Sequence, residues 1–481
     1  MARRSTPEYR ILDKDLARVS DMESAHRHAA RPVLGLGAIV VLCAALAILA
    51  VGIVAGLHGP VILAAGLALA AYLALSIGAN DASNALAPAF GAGSVGLGAG
   101  LALIGVAQLA GALLAGHSVT ERLATGIVGP VPLAGDQRTA LAMLAALLGA
   151  GAWISFATWR RLPVSTTHSV VGSIAGAGLV VHGAGAVAWQ SLAYITAIWV
   201  CAPVISGCIA ALLLAFLRHT VGNAKDRISA GLIWLPAMIA AMGASFAIYL
   251  LDLILAVPGP LIWTVTPMTA GLSWWWTRRR LERDIARQAE PRPALKRLLA
   301  GPLLVAAVLL AFAHGSNDVA NVAGPLSVIV ERSAFDSPDM SLERSALLLA
   351  AGGIALGSVI FGRALVRTVG GGITRLNAAR ALCITLATTA TVLTASWVGL
   401  PVSTTHIAVG GVFGVGFFRE WDDRRRRRDG RAEFPVEERL RRRLVRRSHV
   451  VSILAAWLVT IPVTAGLAAL CCFAILTLAS G

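Results

Sequence analysis

The sequence predicts an all-α polytopic membrane protein with about 12–13 transmembrane segments, in two inverted-topology repeats with broken helices or hairpins at the membrane midplane. Three observations carry this prediction: a low charge content, basic residues confined to the gaps between apolar stretches, and two motifs that each occur twice. Of the 481 residues, 57% are hydrophobic and 14% are charged, and the mean hydropathy is +0.75. Soluble domains are about 25% charged, so the composition excludes a soluble globular protein.

Long stretches of the chain, such as 34–80, 82–120 and 162–217, contain no Asp, Glu, Lys or Arg. A helix needs about 20 apolar residues to cross the hydrocarbon core of a bilayer, so these stretches predict membrane spans. The predicted segments lie near 34–57, 61–79, 97–115, 139–158, 164–181, 187–216, 229–251, 254–276, 298–330, 345–363, 380–397, 404–418 and 449–477. The cysteines lie within apolar stretches without metal-ligand spacing, so no cofactor is expected.

The basic residues, which give a net charge of +16, crowd into a tail at 1–33, a loop at 277–297 and an Arg-rich loop at 419–448. Positive charge in short loops marks the cytoplasmic side of a membrane. The span count places all three regions on one side, so the N-terminus and both loops are predicted to be cytoplasmic. We therefore expect a multi-pass protein of the cell (inner) membrane whose basic residues meet solvent and lipid headgroups and bind no nucleic acid.

Two motifs occur twice in the same order. "GANDASNALAP" (78–88) matches "GSNDVANVAGP" (315–325), and "LPVSTTHSVVGSIAG" (162–176) matches "LPVSTTHIAVGGVFG" (400–414). The Asp-to-His separation is 87 residues in the first copy and 88 in the second, so the chain contains a duplication. By the span count, one copy begins outside the membrane and the other inside. Inverted repeats are typical of secondary transporters, which bind substrate and ions near the midplane.

The predicted units are a basic tail (1–33), an extra first span (34–58), a first repeat (59–216), connecting spans (217–276), a basic loop (277–297) and a second repeat (298–481) that includes the Arg-rich loop (419–448).

Asp81 and Asp318 are the acidic residues of the first repeated motif. A carboxylate inside a membrane costs about 2.5–3.5 kcal/mol on insertion scales, and no Lys or Arg lies in either apolar stretch to compensate it. A bound cation or a proton would neutralise each Asp, and neighbouring amide oxygens are suitable ligands for an alkali ion. The amides belong to Asn80, Asn84, Asn317 and Asn321. The alternative is a set of polar hydrogen bonds between helices.

Glycine and proline in these motifs predict that the helices unwind there and expose carbonyl groups to a cavity. The residues concerned are Gly78, Pro88, Gly315 and Pro325.

The second motif, "PVSTTH", is typical of a helix start, with Pro and hydroxyl residues before an apolar run. A helix N-terminus offers unpaired N–H groups and a favourable dipole, so two of them could hold a tetrahedral oxyanion without an Arg. The hydroxyl residues are Ser165, Thr166, Thr167, Ser403, Thr404 and Thr405. Structural capping alone is the alternative. His168 and His406 follow these residues and could contact the anion, carry a proton or orient the hairpin, and Gln108 is a further polar residue in apolar surroundings.

The paired Asn-Asp and "LPVSTTH" motifs resemble those of the inorganic phosphate transporter (PiT) family of cation-coupled symporters, over roughly residues 60–216 and 298–470. The resemblance implies import of inorganic phosphate by alternating access, driven by a Na⁺ or H⁺ gradient. It also implies cation binding by Asn80, Asp81, Asn317 and Asp318, with Na⁺ at Asp81 and Asp318 when Na⁺ is the coupling ion. It further implies phosphate binding by Asp81, Asn84, Ser165, Thr166, Thr167, Asp318, Asn321, Ser403, Thr404 and Thr405. His168, His406 and Gln108 would have supporting roles.

Several alternatives stay open on the sequence. Sulfate is another tetrahedral substrate, although two Asp-bound cations fit a monovalent anion best, and phosphate near neutral pH can be monovalent whereas sulfate cannot. An intramembrane hydrolase would need one asymmetric Ser-His-Asp constellation, and here every candidate occurs twice. A channel or scaffold gives no reason for two buried Asp residues. We therefore expect a transporter and no enzyme activity, with the coupling ion and a homodimer left open.

Overall fold

The computed structural model describes residues 59–127, 137–162, 164–254, 257–286, 298–333, 340–370, 377–428 and 447–479, together with positions 42, 46 and 47. Helices build this part of the chain. In the first half they are α1 (Gly59–Gly91), α2 (Leu97–Ala115), α3 (His117–Thr125), α4 (Gln137–Trp159), α5 (Thr166–His182), a 3₁₀ turn (Ala184–Ala186) and α6 (Trp189–Leu217), which continues as a π-helical turn (Arg218–Gly222). The connecting helices are α7 (Arg227–Tyr249), with a π-helical turn (Leu250–Ile254), and α8 (Gly259–Ala286). The second half contains α9 (Ala300–Asp318), α10 (Ala320–Ser333), α11 (Met340–Phe361), α12 (Arg363–Thr368), α13 (Ala378–Trp397), α14 (Thr404–Arg428) and α15 (Arg447–Ala479).

Nine helical stretches of the described residues are long and apolar enough to cross a membrane. They are α1, α2, α4, α6, α7, α9 with α10, α11, α13 and α15. The prediction of an all-helical, multi-pass membrane protein is confirmed. The segments predicted near 164–181, 254–276 and 404–418 are the helices α5, α8 and α14, which are not among the nine. The predicted first span at 34–58 lies outside the described residues, apart from positions 42, 46 and 47.

The packing of the helices is reciprocal between the two halves. Helix α1 packs on α11, and its counterpart α9 packs on α2. Likewise α5 packs on α15, and its counterpart α14 packs on α6. In each of these pairs a helix of one repeat therefore lies against a helix of the other. When a helix is replaced by its counterpart in the other repeat, its packing partner is replaced by its counterpart too. A two-fold relation between the repeats would produce this pattern. The opposite membrane orientation of the two repeats stays a prediction.

The structure corrects the expectation of unwound motifs. Helix α1 runs unbroken through its Asn-Asp motif and through Pro88. Pro88 lacks the N–H that would bond the Asn84 carbonyl, but a single missing bond is tolerated where neighbouring helices hold the backbone. In the second repeat the helix is interrupted at Val319, directly after Asp318. The helix is therefore interrupted at a single residue in the second repeat, and α1 of the first repeat is not interrupted at its motif.

The first residues of the two predicted basic loops, 277–297 and 419–448, are helical. Helix α8 continues through residues 277–286 because Leu281, 2% exposed, packs into an apolar cluster with Leu298 and Leu303. Helix α14 continues to Arg428, and its Asp422 forms an ion pair with Arg218 at the end of α6. The basic loops are therefore shorter than predicted, since a tertiary contact extends each helix. Residues 287–297 and 429–446 lie outside the described residues.

Candidate functional site

Two helix starts meet two buried carboxylates in the interior of the protein. The Thr166 hydroxyl at the start of α5 donates a 3.0 Å hydrogen bond to Asp81 Oδ2, and the Thr404 hydroxyl at the start of α14 donates a 3.4 Å bond to Asp318 Oδ2. All four residues are 1–2% exposed. The repeated motifs, far apart in the chain, are thus brought into direct contact within each repeat, in the same geometry.

Serine side chains cap both helix starts. The Ser165 hydroxyl oxygen accepts a hydrogen bond from the His168 backbone N–H at 3.1 Å, and the Ser403 oxygen accepts from the His406 N–H at 3.3 Å. Capping of this kind fixes the first turn, whose N–H groups have no carbonyl four residues earlier in the helix. These serines therefore act as helix caps, which was the alternative role considered from the sequence. It leaves the serine hydroxyl hydrogens and the backbone N–H groups of the first two residues of each helix as donors for an anion.

Asparagine side chains join the two repeats. The Asn84 amide donates to Thr405 Oγ1 of the other repeat at 2.8 Å and to Asp81 Oδ1 at 3.2 Å. Its counterpart Asn321 donates to Thr167 Oγ1 at 3.3 Å. Each Asn thus reaches from a position three residues after the Asp of its own repeat to the helix start of the opposite repeat. The site lies at the repeat interface and is built from both halves.

The hydroxyls of Thr167 and Thr405 also bond to the backbone just before the helix start of the other repeat. Thr167 Oγ1 donates to the Val402 carbonyl at 3.0 Å, and Thr405 Oγ1 donates to the Val164 carbonyl at 3.4 Å. Any movement of one repeat relative to the other must break or remake these bonds.

Asn80 and Asn317 brace the turns that precede the two helix starts. The Asn80 amide donates to Thr158 Oγ1 at 3.0 Å and to the Leu162 carbonyl at 3.4 Å. The Asn317 amide donates to the Leu400 carbonyl at 3.1 Å. Their NH₂ groups are therefore engaged in positioning, and a cation could use only their oxygens. In the described part of the chain, Asn80 Oδ1 has no hydrogen-bond partner.

The two histidines lie against each other across the repeat interface. The rings of His168 and His406 make an edge-to-face contact with centroids 4.2 Å apart, and His168 also lies 3.8 Å from the ring of Trp199. Trp199 Nε1 in turn donates to the Pro401 carbonyl at 3.0 Å. Of the roles left open by the sequence, this geometry favours orientation of the helix starts.

Gln108 is buried in α2 at 1% exposure, where its backbone faces Gly315 of α9. Among the described residues, its side-chain amide makes no hydrogen bond to the site. The structure therefore places Gln108 beside the helix that carries Asp318 without joining it to the ligand-binding groups.

The two buried carboxylates of the site lack a compensating charge among the described residues. Asp81 and Asp318 are close enough for their charges to repel each other, and no ion pair with either occurs among the described residues. Asp318 Oδ1 has no hydrogen-bond partner in that part of the chain. A buried carboxylate oxygen without a partner is costly, whereas Na⁺ or a proton would satisfy it.

Thr158 and Ser396 were not singled out in the sequence, yet both brace the site. Ser396 Oγ accepts from the Asn317 amide at 3.3 Å, as Thr158 does from Asn80. The two positions are 238 residues apart, the same offset as between His168 and His406. Extending the repeated motif backwards from Leu162 to "ATW" and "ASW" would have found them.

The turns before the helix starts share an unusual backbone conformation. Arg161 has φ +58° and Gly399, its counterpart in the second repeat, has φ +70°. Left-handed backbone favours glycine, because a Cβ atom crowds the following carbonyl. The first repeat thus carries a strained arginine where the second carries the unstrained residue.

We expect Arg161→Gly to stabilise the protein by about 1 kcal/mol relative to Arg161→Ala, since only glycine relieves the strain while both variants lose the side chain. Thermal unfolding of the detergent-purified variants measures this difference. Equal midpoints for the two variants would show that the turn stores no strain.

Comparison with known proteins gives consistent matches. The Phosphate transporter family (PHO4) is matched over residues 77–468. A protein of Helicobacter pylori J99 named as a phosphate permease is 38% identical over 358 residues, which cover 73% of this chain and 67% of that protein. The chloroplastic inorganic phosphate transporter 2-1 of Arabidopsis thaliana is 31% identical over 82% of this chain and 69% of that protein. A solved structure of a sodium-dependent phosphate transporter superposes with TM-score 0.77 and 28% identity, over 86% of this chain and 99% of that chain.

Proposed function

Because the chain belongs to the phosphate transporter family, we propose that it imports inorganic phosphate together with a cation, by alternating access. The observation that carries the proposal is the doubled site, in which each repeat contributes a buried Asp, an Asn that crosses to the other repeat, and a helix start. Such a site at the interface of two related halves can be exposed to either side by movement of one half against the other.

The coupling ion is proposed to bind at Asp81 and Asp318. Carboxylate and amide oxygens are hard ligands suited to Na⁺, and the amide oxygens nearest in sequence are those of Asn80 and Asn317. The superposed structure is that of a sodium-dependent transporter, which favours Na⁺ over H⁺ for this chain as well. Neutralising both carboxylates would also remove the repulsion between them and prepare the site for an anion.

Phosphate is proposed to bind between the two helix starts, where hydroxyl and N–H donors converge without an arginine. The remaining ligands assigned to phosphate are Asn84, Ser165, Thr166, Thr167, Asn321, Ser403, Thr404 and Thr405, next to the two Asp residues. Donors at a helix N-terminus favour an anion through both their hydrogen bonds and the helix dipole. His168 and His406 keep the two helix starts in register.

Competition for the carboxylate oxygens offers a coupling mechanism. Thr166 and Thr404 now donate to Asp81 and Asp318. A cation that takes over these oxygens releases both hydroxyl groups, which can then donate to phosphate. Phosphate would thus bind well only after the cation, which would couple the movement of the two solutes. The membrane orientation inferred from the basic loops, a location in the cell (inner) membrane and a homodimer belong to the same proposal.

Uptake of labelled phosphate and labelled sulfate in cells that lack their own transporters tests this function. We expect phosphate to accumulate several-fold more with an inward Na⁺ gradient than without one, and sulfate not to accumulate. Sulfate uptake in place of phosphate would contradict the substrate, and uptake that follows a pH gradient in Na⁺-free medium would replace Na⁺ by H⁺. Absence of both uptakes with protein in the membrane would refute the proposal.

A further inference from the structure

The C-terminal half of α8 carries three arginines stacked on three tryptophans. The guanidinium carbons of Arg278, Arg279 and Arg280 lie 5.1, 5.8 and 5.3 Å from the ring centroids of the tryptophans four positions earlier. Those tryptophans are Trp274, Trp275 and Trp276. Stacks of this kind hold a cation at a defined height beside an apolar surface. Neighbouring Trp and Arg side chains are typical of the boundary between membrane and water.

Arg280 and Trp276 also line a groove between α8 and the first turn of α9. Gly301 and Pro302 form the opposite wall. A Cβ atom on Gly301 would lie 3.6 Å from Arg280 Nε, in ordinary van der Waals contact, so a larger side chain at this position would press on the guanidinium. Arg278 is bonded to Glu282 at 3.0 Å, whereas Arg280 has no ion pair within the described ranges.

The face of α8 below this groove is apolar and uncovered. Met268, Leu272 and Trp276 are spaced four residues apart, so all three lie on one stripe of the helix. Leu272 is 62% exposed and Met268 is 73% exposed. A ligand that matches the whole stripe must therefore combine an anionic end at Arg280 with a long apolar part along the helix.

The groove lies at the end of the bundle that collects basic residues. Leu281 of α8 shares an apolar cluster with Leu217, which precedes Arg218 at the end of α6. Val415 of the same cluster lies in α14 just before its arginine-rich end. In the membrane orientation proposed above, this end faces the cytoplasm, where anionic phospholipids attract juxtamembrane arginines.

We propose that the groove between α8 and α9 binds the phosphate of an anionic phospholipid, with the guanidinium of Arg280 on the headgroup, Trp276 beside the glycerol and the acyl chains along Leu272 and Met268. The occupant is a lipid of the surrounding leaflet, because a free phosphate ion would leave the apolar stripe uncovered. This site is separate from the proposed transport site and does not depend on it.

Native mass spectrometry of the full-length protein, released from detergent after incubation with phosphatidylglycerol or phosphatidylcholine of identical acyl chains, tests the site. We expect the wild type to retain phosphatidylglycerol in preference to phosphatidylcholine. Arg280→Gln should lower retention about fivefold, the effect of one arginine near a membrane surface. Gly301→Leu should do the same without changing any charge, since its side chain fills the groove.

Arg425→Gln is the matched control, because Arg425 stacks on Trp421 at 5.6 Å in the same manner but does not line the groove. It should retain the lipid as the wild type does. If Gly301→Leu does not elute as a monodisperse protein, Arg280→Lys replaces it. This variant keeps the charge, so it should retain more phosphatidylglycerol than Arg280→Gln does. Equal retention of both lipids by the wild type, or unchanged retention by Arg280→Gln, would overturn the proposal. Displacement of the lipid by millimolar inorganic phosphate would also overturn it and assign the groove to the free ion.

Discussion

Asp81→Asn and Asp318→Asn should each lower cation-coupled phosphate uptake by about a hundredfold or more, because losing one partner of a buried charged pair costs about 3–5 kcal/mol. Asparagine keeps the size of the side chain and an oxygen that can accept from Thr166 or Thr404, so the fold is expected to persist. What it removes is the negative charge that compensates the cation. Uptake of labelled phosphate with and without a Na⁺ gradient, normalised to protein in the membrane, measures the effect.

Asp226→Asn supplies the matched control for charge removal. Asp226 lies before α7, where hydrogen bonds from Ser229 and Ile228 lower the pKa of its carboxyl group, so the variant also removes a full negative charge at neutral pH. Because this residue is remote from the site, uptake should stay at the wild-type level. Normal Na⁺-coupled uptake in both site variants would refute the assignment of the cation site. Loss in only one of them would place the coupling ion in a single repeat.

The contact between each Asp and a helix start illustrates what the sequence can and cannot predict. Asp81 and Asp318 have no basic neighbour in the chain, so a compensating partner was required on energetic grounds alone. From the sequence, a bound cation or a proton was named as that partner, and the Ser-Thr-Thr helix starts were assigned to the anion in the same site. The structure adds a contact that was not predicted from the sequence, because the hydroxyls of Thr166 and Thr404 lie within hydrogen-bonding distance of Asp81 and Asp318.

Contacts between the repeats could not be predicted in the same way. The internal offset says which residues are equivalent but nothing about the distance between equivalent residues, so the His168–His406 contact was not foreseen. The hydrogen bond from Asn84 to Thr405 of the other repeat was not predicted for the same reason. Helix continuity through Pro88 was also missed, because local propensity favours a break, which is opposed by the packing of α1 on α11 and on other helices.

Gly315→Ala is expected to destabilise the protein by about 3 kcal/mol, at the upper end of the usual cost of overpacking. A Cβ atom at this position in α9 would lie 1.9 Å from the Gln108 carbonyl oxygen of α2, and Gly78 of α1 stands in the same relation to Ile354 of α11 at 2.1 Å. The obstacle is backbone in both cases, so no side chain can move aside. The helices must separate, and Asp318, three residues further along α9, moves with them.

Thermal unfolding of the detergent-purified protein measures the loss of stability, and uptake reports the displacement of Asp318. Gly352→Ala is the control, because it introduces the same methyl group into α11, where no described atom of a neighbouring helix lies within 4 Å of the added carbon. Alanine is the better helix former by about 1 kcal/mol, so this variant should unfold at the wild-type temperature or above. A Gly315→Ala protein as stable as the Gly352→Ala protein would show that α2 and α9 do not require this close approach. The glycine beside each Asn-Asp motif would then need an explanation other than helix packing.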